Sequence, residues 1–514
     1  MAEVSRTARV IQNAKVALFF YCINLILQFF SRKIFLDYLG AELLGLNTTA
    51  QNLLQFLNLA ESGIGAAVAF ALYKPLSQKN KQEIIDIVSL QGWFYRWVGL
   101  FVIAGSIVLM AFFPWIFAKA DVPLVYAYGT FIAFLISALL GYFVNYKMIV
   151  LSADQKEYKI TIRTQSIKIV KIFSQIFVIS IFSYGYMWWV LLEAIGAIAT
   201  SIFLNRSIQQ EYPWLVTDIS KGKQLQSEYS YLLPKIKQLF CHKFGSFVLT
   251  QTTPLVIYGF VNLNLVAIYG NYIFIVGGCL ALVDAFSRGL YASIGNVVTE
   301  ADIRKIKHVF WKILTVRLFV SGLISICFFE LSGPFVSLWV GKEYVISTIP
   351  VVIMTLIYFI QMSRTCDMFL SAYGIFQDVW APVAESFINL TLSIAFGYVW
   401  GLSGILFGVL VAQIVIVNTW KPYYLYKQAF KEPLKEYVHL YSQKILLLLT
   451  LISLSYFSYH ELFAKEISSY WLWISQATIL IFIYSIFGGV LFALFDDHFK
   501  AILLHFFSLR KNIR

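Results

Sequence analysis

Apolar stretches of about 18 residues or more recur along the whole chain, and each is long enough to cross a hydrocarbon core of roughly 30 Å as a helix. One such stretch alone could be a buried core helix. Repeated with short basic connections, they specify an all-α integral membrane protein, because lipid leaves no backbone polar group a partner outside its own segment. Composition agrees: 59% of the 514 residues are hydrophobic and only 13% charged, against about a quarter charged in soluble domains. The first apolar run, from Ala14 to Phe35, is too long for the apolar region of a signal peptide. No small-residue cleavage site follows it, so it reads as a retained first helix.

Windowed hydropathy places spans near 14–36, 43–72, 89–113, 124–151, 162–182 and 186–205. After a polar stretch, spans resume near 239–261, 265–289, 309–331, 348–371, 380–400, 402–426, 445–463 and 470–495. Together they make fourteen transmembrane helices. With both termini placed in the cytoplasm, roughly 34 of the 40 Lys and Arg fall on the inner side, as the positive-inside rule demands. Clusters such as Lys74/Lys79/Lys81 and Arg304/Lys305/Lys307 lie there, and so does Lys421. The net charge of +13 is therefore topological, and needs membrane lipids rather than nucleic acid as its company. Tryptophans near span ends (Trp93, Trp115, Trp188, Trp311, Trp339, Trp380, Trp400, Trp471) read as an interfacial belt.

The polar stretch after the sixth span suggests two halves. Glu61 in the second span and Asp284 in the eighth each precede a glycine-containing turn, the weak internal symmetry that transporter folds carry. The expected organisation is an N-terminal six-helix bundle (1–205), a cytoplasmic linker (206–238), a second six-helix bundle (239–430), and two further helices with a tail (431–514).

Extramembrane segments are too short for a catalytic domain, so the candidate functional residues are charges inside spans, each costing about 2.5–3.5 kcal/mol at the bilayer centre. Glu61 is the deepest, and either faces water or a cation or braces two helices beside Gly63 and Gly65. Asp284 and Arg288 are four apart and can pair on one helix face. Arg96 and Arg317 sit about two turns in from the cytoplasmic end, within snorkelling reach. Arg32 and Lys33 mark the outer end of the first span; Arg364, Asp367 and Glu385 flank the inner ends of the tenth and eleventh. Glu193 is a lesser candidate, and Glu330 reads as interfacial. So many cations suit an anionic, phosphorylated cargo, whose oxygens match arginine's fork. Neither a phosphate loop nor a metal-ligand spacing of histidines or cysteines occurs, so no cofactor is expected. His498 and His505 fall in a basic tail, and the five cysteines read as apolar packing.

Two segments carry a more specific signal. "FLDYLGAELLGLNTTAQNLLQFLNLAESGIGAAVAFALYKPL" (35–76) holds Leu-Ala-Glu-x-Gly-Ile-Gly. The segment 364–430 holds Arg364, then Ala372-Tyr373-Gly374, then Pro382-x-x-Glu385-x-x-x-Asn389-Leu390. Both resemble the Wzx-like oligosaccharide/polysaccharide flippases of the multidrug/oligosaccharidyl-lipid/polysaccharide exporter superfamily. The family pattern has a basic residue between the arginine and Ala-Tyr-Gly; here that stretch is "TCDMFLS".

The resemblance implies a MATE-like alternating-access fold rather than an enzyme. It implies a multi-pass protein of the bacterial cytoplasmic membrane that moves undecaprenyl-pyrophosphate-linked repeat units of the O-antigen, capsule or exopolysaccharide type. Substrate contact would fall to Arg32, Lys33, Arg96, Arg288, Arg317 and Arg364. Glu61, Asp284 and Glu385 would balance charge or bind a coupling H+ or Na+, and polysaccharide polymerase machinery would be a further partner. A cation-coupled multidrug exporter of the same fold is the alternative. A membrane polymerase or glycosyltransferase is a weaker one, since the outer segments 114–123, 332–347 and 464–469 hold no paired carboxylates.

Overall fold

A computed structural model describes residues 6–299, 302–375, 377–378, 380–462, 467–502 and 504, with some side chains in 6–11, 241–250 and 285–299 left aside. Among the described residues all regular structure is helical. The principal helices are α1 (Arg6–Asn58), α2 (Ile64–Gln78), α3 (Lys81–Ala111), α4 (Leu124–Phe143), α5 (Glu157–Ile181), α6 (Gly185–Glu211), α7 (Leu232–Phe260) and α8 (Leu263–Thr299). They continue with α9 (Ile303–Trp339), α10 (Thr348–Ser363), α11 (Cys366–Ala372), α12 (Trp380–Gln413), α13 (Lys421–Leu425), α14 (Lys435–Leu462) and α15 (Tyr470–Phe495). Eleven stretches are long and apolar enough to cross a membrane, counted among the described residues.

Two of those stretches are more than one rod. A helix of 53 residues, the length of α1, would run roughly 80 Å, far beyond a bilayer core, and α1 bends at Gly40. The stretch Trp380–Phe430 folds back on itself. Gly401 takes a positive φ of 55°, and beyond it Gly404 and Gly408 lie so close to Phe396 and Ser393 that a Cβ would stand 2.0 Å and 2.3 Å from their backbone atoms. Ser393 Oγ donates to Ile405 O at 2.8 Å across the same hairpin. Its second arm loosens into π-helical turns at Ile414–Trp420 and Tyr426–Phe430.

Local chemistry sets the ends of the helices. Asn80 caps α3 reciprocally: its Oδ1 accepts from Glu83 N at 3.3 Å and its Nδ2 donates to Glu83 Oε2 at 3.0 Å. Asp302 accepts from Arg304 N and Lys305 N to start α9, and Ser469 from Leu472 N to start α15. Because these capped starts lie outside the apolar windows, α3 begins at Lys81 and α9 at Ile303. Arg96 and Arg317 are therefore about four turns into their helices, which begin about two turns before the apolar windows.

The contacts divide the chain into two units, Met1–Ala267 and Ile268–Arg514. In the first, α5 packs on α6 and α1, and α4 on α6. In the second, α9 packs on α10 and α15, and α14 on α15. Its core has one cluster around Phe310, Trp311, Phe369, Tyr426 and Tyr437 and another around Leu451, Leu480, Tyr484 and Phe492. Trp311 and Trp339 belong to the packed interior (2% and 4% exposed), not to an interfacial belt. Trp311 stands edge-on to Phe310 and against Tyr437, with the Lys444 ammonium 5.7 Å from its ring centroid. Trp115, Trp400 and Trp471 are exposed, as a belt requires.

Candidate functional site

The span expected at 43–72 is broken where its carboxylate lies. The helix stops at Asn58, a single 3-10 turn covers Leu59–Glu61, and α2 restarts at Ile64. Gly63 makes the break possible. Its φ is +103°, and a Cβ there would stand 2.8 Å from Ile236 O, so both backbone conformation and space call for glycine. Glu61 is thus a residue at a helix interruption, where backbone groups lose their helical partners. Its Oε1 accepts from Tyr95 OH of α3 at 2.6 Å. Tyr142 of α4 stacks edge-on to Tyr95 and donates to Asn58 Oδ1 at 3.0 Å. Two tyrosines therefore hold the broken ends.

Elsewhere in the first unit, Arg32 Nη2 donates to Ala267 O at 3.1 Å, tying α1 to the start of α8. Lys33 pairs with Asp37, 3.4 Å away and one turn on, and both are largely exposed. Arg96 is exposed at the margin of the packed face of α3, next to the exposed Trp97. Sequence reading missed Lys168 and Lys171, which stand near the midpoint of α5. Lys171 Nζ meets Glu193 Oε1 of α6 at 2.5 Å, and Gln175 Nε2 donates to Glu193 Oε2 at 3.0 Å. Their signal was present, as two lysines three apart inside an apolar window, but a tally of positive charge by side passes over them.

In the second unit, Asp284 is exposed on α8. The side chain of Arg288, its expected partner, lies outside the described residues. Arg317 is buried at 7% exposed. Its Nη1 donates to Ser287 Oγ at 2.7 Å and contacts Met368 Sδ at 3.1 Å, and its Nη2 donates to Met362 O at 2.7 Å. One guanidinium thereby joins α8, α9, α10 and α11. Glu330 is nearly buried and lies 3.3 Å from His460 Nε2.

The Arg364 region is an alternating-charge cluster assembled across long sequence separations. Arg364 Nε donates to Asp367 Oδ2 at 2.7 Å, and Lys421 of α13 lies 3.5 Å from Asp367 Oδ1 and 2.7 Å from Asp378 Oδ2. Lys421, which the sequence assigned to the inner-surface basic excess, is buried at 9% exposed. Ser363, Arg364, Asp367, Asn418 and Lys421 line a cavity of about 20 Å³, room for one water-sized particle. Glu385 is 2% exposed on α12, and its Oε1 has no hydrogen-bond partner among the described residues.

No protein-family model and no curated protein matches the chain. Solved structures do. A structure of the lipid II flippase MurJ in an inward closed conformation superposes with a TM-score of 0.66 at 17% identity, covering 94% of this chain and 99% of that one. An inward-facing multidrug resistance MATE family transporter of the MOP superfamily superposes with a TM-score of 0.54 at 14% identity, over 79% of this chain and 95% of that one. The chain therefore has the helical fold that these MOP-superfamily flippases and transporters share.

Proposed function

We propose that this protein is a flippase that carries undecaprenyl-pyrophosphate-linked oligosaccharide repeat units across the bacterial cytoplasmic membrane by alternating access. We read fourteen crossings with both termini inside, grouped as bundles 1–205 and 239–430 with the linker 206–238 and the additional helices of 431–514. The observation that carries this reading is the number of cations held inside spanning helices, beside the buried carboxylates Asp378, Glu385 and Asp496. Arg317, Lys421 and the Lys168/Lys171 pair are all cationic, all within or between spans, and all at least half-buried. Such cations favour an anionic cargo with phosphate oxygens. The MurJ-like fold supports the reading, since that relative's own cargo is a lipid-linked one.

A lipid chain also finds suitable chemistry. Ile326, Phe329, Val352, Leu356, Leu449 and Tyr456 line an apolar cleft of about 480 Å³ in the second unit. Headgroup contact is assigned to Arg32, Lys33, Arg96, Arg288, Arg317 and Arg364. Arg317 would exchange its bonds to Ser287 and Met362 for phosphate oxygens in one state only. Glu61, Asp284 and Glu385 balance these charges or take the coupling H+ or Na+. Glu385 keeps one oxygen available for that ion.

Reconstitution tests the function directly. Proteoliposomes holding the full chain should move a fluorescent polyprenyl-diphosphate oligosaccharide to the opposite leaflet, and should not extrude a cationic dye. Dye extrusion without lipid movement would overturn the assignment in favour of a drug exporter.

A further inference from the structure

Helix α5 separates two kinds of surface. Val170, Phe173, Phe177 and Ile181 are exposed and apolar, the composition of a lipid-facing side. At helical spacing on the opposite side stand Gln165, Lys168, Lys171 and Gln175. This polar stripe faces into the first unit, where Gln165 Oε1 accepts from Asn24 Nδ2 of α1 at 3.0 Å and Lys171 and Gln175 reach Glu193 of α6.

The charges on the stripe do not cancel. Lys171 occupies one oxygen of Glu193 and Gln175 the other. Lys168 is half-buried, yet makes no hydrogen bond or ion pair among the described residues. An ammonium inside a span costs free energy, up to about 2.5–3.5 kcal/mol at the bilayer centre. With Lys168 unbonded among the described residues, two ammonium groups share the one carboxylate of Glu193, and the surplus positive charge on a protein-facing surface is suited to an anion.

We propose that Lys168 and Lys171 form a docking site within the first unit for a phosphate-bearing headgroup. Lys168 supplies the direct contact, and Lys171 is shared between Glu193 and the incoming oxygens. The proposal rests on the flippase reading and names a point on unit 1 where the charged end of the cargo is held. The same phosphate chemistry could come from a polyprenyl diphosphate or from an anionic glycerophospholipid.

The full chain in zwitterionic nanodiscs separates the cases, with a short prenyl diphosphate as probe, the matching prenol as control and phosphatidylglycerol as competitor. Lys168→Gln should weaken diphosphate binding about tenfold or more, and Lys168→Arg by less than about threefold, with prenol binding unchanged. Lys168→Gln removes a charge that makes no hydrogen bond or ion pair among the described residues, and Glu193 keeps Lys171 and Gln175; its thermal midpoint should equal or exceed that of the parent protein. Lys171→Gln would orphan Glu193, so it is tested together with Glu193→Gln. Equal diphosphate affinity in Lys168→Gln and the parent overturns the site. Lys168-dependent capture of phosphatidylglycerol with no diphosphate binding overturns its role in holding cargo. Lys168-dependent diphosphate binding by a protein that flips nothing supports the site and fails the flippase reading.

Discussion

Replacing Arg317 measures how much of the second unit depends on one guanidinium. Arg317→Met keeps the length of the side chain and removes its donors. The bonds to Ser287 Oγ and Met362 O are both 2.7 Å, and hydrogen bonds from a charged donor contribute about 1.5–3 kcal/mol each. Met368 Sδ, a weak acceptor, adds little. Ser287 is not orphaned, because its hydroxyl also donates to Val283 O at 2.7 Å. The Met362 carbonyl loses its side-chain donor. Against these losses stands the desolvation cost of a buried cation, which methionine does not incur. The balance is a loss of about 2–4 kcal/mol. Arg317→Lys keeps the charge but cannot span Ser287 and Met362 together, so it should lose roughly half as much. The midpoint and slope of SDS unfolding, followed by tryptophan fluorescence in detergent, give both values. Arg317→Met as stable as the parent would show that the guanidinium is no structural tie and would refute the reasoning.

Three other substitutions test the local arguments. Gly63→Ala must hold alanine at φ +103° with its Cβ 2.8 Å from Ile236 O; it should cost about 2–5 kcal/mol, and an unchanged unfolding midpoint would contradict this. Tyr95→Phe removes the 2.6 Å donor to Glu61 and should cost about 1–3 kcal/mol, a loss that Glu61→Gln should largely abolish when combined with it in a double-mutant cycle. His498 follows the end of α15, where burial first, then Lys444, holds its imidazole down to about 4 against an ordinary 6.5. Asp496, 3.8 Å from its ring nitrogen, opposes that shift only in part. The folded state then binds fewer protons than the unfolded chain between those values. The stabilisation is complete above about pH 6.5 and is lost as pH falls towards 4, by up to about 3 kcal/mol. His498→Gln should flatten that part of the pH–stability curve, and equal slopes would count against the burial of the ring.

Much of the architecture was legible because apolar length and helical geometry act locally. The windows near 124–151, 162–182, 186–205 and 470–495 each found their helix, and "LAESGIG" announced a special backbone by its glycines. The roles of particular charges were less legible. Lys421 and Lys168 are both lysines close to apolar windows, and one-dimensional spacing treats them alike. Lys421 is neutralised by Asp367 and Asp378, the latter 43 residues away, whereas Lys168 forms no ion pair among the described residues and shares Glu193 with Lys171. The buried pair of Lys444 and Asp496 likewise joins positions 52 residues apart. His498, read as part of a tail, packs 6.2 Å from the Trp311 ring.

The amino-acid order by itself determined that this chain is helical and membrane-embedded, because hydrophobic length, caps and glycine conformations are written within a few residues of where they act. Only the tertiary structure decided which intramembrane charges meet one another, as Lys421 meets Asp378 and Lys171 meets Glu193. An ion pair in low dielectric depends on distances of a few ångströms between residues that the sequence sets far apart.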